Sequence, residues 1–177
     1  MGTKLEQIKQ ELKLDALRHD LCGPWQRMLD RAADKATLVQ MYMRGIDFCF
    51  GWDFPSVDYI ARHFKGVCEA YGLHVDESFR SRNERKVALV GRCEALLDYD
   101  DYEVAQVFMK HDSRALLDVR GHSLVMVDCF DTSRLEIRAR EGAQVTVYRY
   151  GDARVTCAEP SEATVRVVDK HKNGYYD

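Results

Sequence analysis

At 177 residues and 20.5 kDa the chain is long enough for one domain or two small ones, and to bury a core without disulfides or metals as staples. Apolar residues make up 46%, charged residues 31%, there are 3 prolines, and no apolar run approaches the roughly 20 residues that span a bilayer, so collagen-like, disordered and membrane classes drop out. A net charge of −3 gives no general attraction to polyanions.

The opening residues 1–10 lack the apolar stretch of a signal peptide, which points to the cytoplasm. Helical spacing then runs through the first third. Leu5, Ile8, Leu12, Leu17 and Leu21 form one stripe; Gly23-Pro24 interrupts it, and Pro24 suits the first turn of a helix carrying Trp25, Met28 and Leu29. A third helix is expected from Ala36, with Leu38, Met41, Tyr42, Ile46 and Cys49 inward, ending near Gly51. Asp53 or Ser56 opens a fourth around Pro55, with Tyr59, Ile60, Phe64, Val67 and Cys68 inward and Gly72 at its end. Residues 1–79 therefore read as a helical domain. The basic run 80–86, with Glu84 inside it and no aromatic interleaved, reads as a solvated linker rather than a nucleic-acid site.

From 87 to 177 the pattern is a ten-residue repeat. Every tenth residue from Cys93 gives Cys93, Glu103, Ser113, Ser123, Ser133, Ala143, Ala153 and Ala163. Two columns further on, Ala95 to Val165 and Leu97 to Val167, are wholly apolar. Alternation inside each unit predicts a short strand with one buried face. The same order of residue types recurs eight times without insertion, whereas a meander reverses direction at each strand and has no reason to repeat an asymmetric unit, so a parallel β-solenoid follows. A six-residue period is absent, and a five-residue period would bury Asp100, Lys110, Arg120 and Arg140. The outward residues alternate in chemistry every twenty, which predicts four flattened coils of about twenty residues with two strands each, stacked about 4.8 Å apart. The predicted fold class is α+β: a small helical N-terminal domain, then a four-coil solenoid with Leu135, Ile137, Val145, Val147, Val155 and Val165 inside the coils.

The two outer faces differ. One carries Glu94, Asp98, Arg114, Asp118, Arg134, Glu136, Arg138 and Arg154 and reads as a solvated, charge-paired surface. The other carries Val104, Phe108, Leu124, Met126 and Tyr148, too apolar to stay bare, and is the candidate interaction face, to be covered by the helices or by a second molecule. The tail, with Lys170, Lys172, Asn173 and Gly174 before Tyr175-Tyr176, either folds over the last coil or leaves it free for self-association into a dimer.

The segments Tyr42-Met43-Arg44-Gly45-Ile46-Asp47-Phe48-Cys49 and Phe54-Pro55-Ser56-Val57-Asp58-Tyr59-Ile60, followed by repeat strands, resemble uncharacterised proteins of gut bacteria and their prophages. That resemblance covers most of the chain, carries no catalytic signature, and implies mobile-element biology, including action on a host defence protein.

Catalytic and metal signatures are missing: His19, His63, His74, His111, His122 and His171 have no paired spacing, and GxSxG, Walker and GxGxxG motifs are absent. The six cysteines are spread singly and read as reduced, buried thiols, Cys129 among them. One turn edge stacks His111 and Asp131 with Arg92, Asp112 and Asp152 nearby, a conceivable acid/base pair. The expected function is a non-enzymatic binding or assembly protein without cofactor or metal, with a protein partner or a second copy as its ligand. The alternative is a small enzyme or ligand binder at the helix–solenoid junction or at that polar edge.

Overall fold

The computed structural model describes residues 3–176, which divide into two compact units between Leu73 and His74. The first unit holds α1 (Lys4–Leu17), α2 (Gly23–Arg31), α3 (Lys35–Arg44), α4 (Ile46–Trp52), α5 (Val57–Phe64) and a 3-10 turn over Cys68–Tyr71. Its helix starts are capped by short polar side chains. Thr3 Oγ1 accepts the Glu6 N–H (3.3 Å), Asp34 Oδ1 accepts both the N–H and the hydroxyl of Thr37 (2.7 Å each), and Ser56 Oγ accepts the Tyr59 N–H (3.4 Å). Ile8, Leu12 and Ala16 form the buried stripe of α1, and the Tyr59 hydroxyl ties α5 to it by donating to Glu11 (2.8 Å).

The single helix expected from Ala36 to Gly51 is two helices, α3 and α4, parted at Gly45. The indole of Trp25 lies where a side chain at Gly45 would point, its nearest carbon 3.3 Å from an added Cβ. Gly45 is thus a close-packing site and also the weakest helix former in the run.

The second unit is a parallel β-solenoid. Its strands are β1 (Leu73–Val75), β2 (Ser78–Arg82), β3 (Lys86–Val90), β4 (Glu94–Tyr99), β5 (Val104–Met109), β6 (Arg114–Val119), β7 (Leu124–Cys129), β8 (Arg134–Ala139), β9 (Gln144–Arg149), β10 (Arg154–Cys157) and β11 (Thr164–Asp169). They form two sheets, β1-β3-β5-β7-β9-β11 and β10-β8-β6-β4-β2, every described ladder being parallel. From β3 onward partners are twenty residues apart, as Val145 opposite Val125 and Leu135 opposite Ala115 illustrate. The columns Ala95, Ala115, Leu135 and Leu97, Leu117, Ile137 of one sheet face Ala105, Val125, Val145 and Val107, Val127, Val147 of the other across one continuous core.

The solenoid has eleven strands, about five two-strand coils rather than four, because β1 and β2 form ahead of the expected start, in the end of the stretch assigned to the helical domain and in the linker. In β2 Phe79 packs on the core while Arg80 and Arg82 face out. Ser78 stands opposite Glu94, sixteen residues on, whereas Lys86 stands opposite Gln106, twenty on. The turn between β2 and β3 is four residues shorter than the later ones, which puts β2 out of the ten-residue frame. Its basic character is matched by acids of the next coil: Arg80 pairs with Asp98 (2.8 Å), Arg85 with Glu103 (3.3 Å), and Arg82 with Asp100.

Each later turn opens with a left-handed residue, among them Gly91, Asp101, His111, Gly121, Asp131, Glu141 and Gly151. Most positions tolerate Asp, His or Glu, but Gly121 does not have the room. A Cβ there would sit 2.7 Å from Asp101 O and 2.9 Å from Asp101 N, while at Gly151 the nearest atom would be 3.6 Å away. Gly121→Ala is therefore expected to cost about 3 kcal/mol, from left-handed strain plus a backbone clash, and Gly151→Ala about 1 kcal/mol, from strain alone. Urea unfolding of the two variants checks the ranking, and equal losses would show that the coils part freely at Gly121.

Candidate functional site

The five residues of the expected interaction face do not make one open patch. Val104 is 59% exposed, Leu124, Met126 and Tyr148 are half-buried, and Phe108 is buried with the Lys86 ammonium 5.5 Å from its ring centre. The C-terminal tail accounts for the far part of this cover. The chain keeps to the coil path through Lys172 and then turns back along the side of the solenoid, bringing Tyr175 to Phe130 and Tyr150. Lys170 lies over the Tyr148 ring (4.5 Å), the Lys172 carbonyl accepts the Gly151 N–H (2.8 Å), and Tyr175 meets the stacked Phe130 and Tyr150 edge-on at 4.9 and 5.6 Å. Beneath the tail lies Asp128, whose carboxyl is pushed up to about 6 by burial, against the opposing pull of the Tyr175 hydroxyl that donates to it and of Lys170.

The polar edge is a backbone brace. The Gly91 N–H donates to His111 Nδ1 (3.0 Å), the His111 N–H donates to Asp131 Oδ2 (3.0 Å), the Thr132 hydroxyl donates to the His111 carbonyl (3.2 Å), and the Arg92 N–H donates to Asp76 Oδ1 (2.7 Å). His111, Asp131 and Thr132 thus hold the main chain of the coil before them, and Asp76 that of the coil after it. The imidazole accepts from one backbone amide and the Asp131 carboxylate from another, and Asp112 and Asp152 stand exposed beside them. Among the described residues no three His, Cys, Asp or Glu side chains gather as metal ligands would.

The thiols divide by place. Cys49, Cys68, Cys93 and Cys129 are buried, and burial pushes Cys129 up to about 12, in keeping with its reading as a core thiol. Cys22 and Cys157 are exposed, contrary to the reading of all six as core. In the helical unit an open depression of about 200 Å³ between α2 and α3 is lined by Met28, Arg31, Thr37, Gln40, Met41 and Arg44, smaller than the few hundred Å³ that usually enclose a ligand.

What stands open is the far end of the stack. Ile137, Val145 and Val147 are buried as expected, but one coil on Val155 and Val165 are only half-buried, Val167 is 46% exposed and Cys157 is exposed, although all four occupy inward columns. Among the described residues, β10 pairs only with β8 and β11 only with β9. The free edges of two strands and the apolar residues between them therefore share one surface. The polar, turn-forming tail residues Lys170, Lys172, Asn173 and Gly174 leave open in the sequence whether the last coil is covered or free.

No helix among the described residues is long and apolar enough to cross a membrane. No family model matches the chain, and no curated protein or solved structure gives a significant match.

The raised Asp128 carboxyl makes the tail pH-sensitive. The native state holds this proton more tightly than the unfolded chain does, so its stabilising share is complete below the ordinary value of 3.8 and is lost as pH rises through about 6. Asp128→Asn keeps an acceptor for Tyr175 and removes the ionisation. It is expected to exceed the wild type in stability at pH 8 by on the order of 1–3 kcal/mol and to equal it near pH 4, read from denaturant midpoints. Parallel pH profiles for the two proteins would refute the burial argument.

Proposed function

We propose that this chain is a non-enzymatic assembly protein whose solenoid docks end-on with a second copy of itself. The observation that carries the reading is the exposed coil end: Val155, Cys157, Val165 and Val167 between two unpaired strand edges, with the tail turned away along the side. A second copy offers a surface of the same size and the same apolar spacing. Related by a two-fold axis, the edges meet as antiparallel ladders, and the pair closes without seeding a filament.

Size sets the strength. Strands of four (β10) and six (β11) residues in sheets about 10 Å apart give an end of at most roughly 20 by 20 Å with side chains, about 400 Å² per partner against the 800 Å² or so of a standard interface. Apolar contact alone is too small, and the two hydrogen-bonded ladders must contribute. A dissociation constant on the order of 10 μM is expected.

The same reading extends to origin: the resemblance of residues 42–60 to proteins of gut bacteria and prophages supports a mobile-element source, with a host protein as the target that the assembled dimer engages in the cytoplasm.

Sedimentation from about 1 to about 300 μM checks the association, with monomer converting to dimer across that range. Val167→Lys places a charge on an already exposed position, so it is expected to keep the thermal midpoint and abolish the dimer. A wild type that stays monomeric throughout, or a Val167→Lys variant that dimerises equally well, overturns the proposal.

A further inference from the structure

The charged face of the solenoid is not uniformly paired. On the sheet β10-β8-β6-β4-β2 and its turns, Arg80 pairs with Asp98 (2.8 Å), Arg82 with Asp100, Arg120 with Asp100 (3.0 Å), Arg138 with Glu136 (3.1 Å) and Arg140 with Asp118 (3.2 Å). Arg114, Arg134 and Arg154 are different. They stand directly opposite one another in the ladder, Arg114 against Arg134 and Arg134 against Arg154, all three are exposed, and among the described residues none of their guanidinium groups makes an ion pair or hydrogen bond. Earlier in the same column Glu94 stands opposite Arg114 without an ion pair to it among the described residues, and Ser78 precedes it.

Three like charges about one strand spacing apart, roughly 4.8 Å, repel and weaken the ladder that carries them. The fold does not need them, since Thr164, Gln144 and Thr146 fill outward positions of the other sheet. Nearby, Leu96 and Leu116 stand side by side two residues further along β4 and β6, and Leu96 is 47% exposed.

We propose that Arg114, Arg134 and Arg154 form a docking ladder for an extended acidic peptide that runs along the solenoid axis, its carboxylates on the arginines and an apolar side chain at one end on Leu96 and Leu116. Charge and spacing argue for this occupant. Alternate residues of an extended chain put side chains about 6.7 Å apart on one face, within the splay of long arginine side chains at 4.8 Å spacing, and each guanidinium matches a carboxylate with two parallel hydrogen bonds. A phosphodiester strand fits less well. None of the outward residues of β2, β4, β6, β8 or β10 is aromatic, so bases find no stacking platform. The surface lies on the side of the coils, so it does not depend on the end-on association.

The test uses the full chain and a fluorescein-labelled peptide with one leucine followed by three aspartates on alternate residues, beside a twin in which asparagine replaces each aspartate. Anisotropy at low salt is expected to show binding of the aspartate peptide only, weakening as salt rises. The triple variant Arg114→Gln, Arg134→Gln, Arg154→Gln is expected to bind at least tenfold more weakly while its thermal midpoint holds or rises, because a repulsion has been removed. Arg138→Gln, which changes a paired arginine of the same sheet, is expected to bind as the wild type does. Equal binding of the two peptides, undiminished binding by the triple variant, an equal loss in Arg138→Gln, or tighter binding of an oligothymidylate of the same charge each overturns the proposal.

Discussion

From β3 onward every paired strand residue of the solenoid lies on its counterpart twenty positions away. Parallel ladders between strands one coil apart impose that, and little else in the unit is free of it. Inside, a column must tolerate repetition of one size, which is why Leu97, Leu117 and Ile137 stack on one side of the core and Val107, Val127 and Val147 on the other. At the coil corner there is space only for small groups, so Cys93, Ser113, Ser123, Ser133, Ala143 and Ala153 are all buried. The hydroxyls of Ser113 and Ser123 have no hydrogen-bond partner there, a cost in desolvation that alanine avoids at Ala143 and Ala153.

The same constraint explains what was legible in the sequence and what was not. From Lys86 to Asp169 the ten-residue frame is unbroken, and strand identity, parallel pairing and inward parity could all be read from it. The first coil was hidden because a turn four residues shorter shifts β2 out of frame, and because Arg80, Arg82 and Arg85 suggest a solvated linker until their acids, Asp98, Asp100 and Glu103, are placed one coil away. Helical spacing likewise continues through Gly45. Only the approach of Trp25, a contact between helices, shows why α3 and α4 are separate.

Burial at the last coil was illegible for a different reason. Val155, Val165 and Val167 belong to columns whose other members are buried, and composition is the same in every coil. What differs is the presence of a following coil, a property of the neighbour rather than of the residue. The tail carried the missing information in its aromatic pair: Tyr175 matches Phe130 and Tyr150, which stack one coil apart on a turn, so the tail finds its apolar partners on the flank and not on the end.

Polar columns follow the stacking rule with the opposite outcome. A left-handed turn leaves an amide facing the next coil, and a side chain stacked twenty residues on can satisfy it, as His111 does for Gly91 and Asp131 does for His111. The histidine–aspartate stack thus braces the backbone from one coil to the next. Ion pairs on the flat face obey a similar economy of position: Arg82 and Arg120 share Asp100 between them, because the acid stands one coil from each. The column Arg114, Arg134 and Arg154 has Glu94 opposite its first member but holds no ion pair, so stacking a repeated arginine leaves like charges that the solenoid's own side chains do not neutralise.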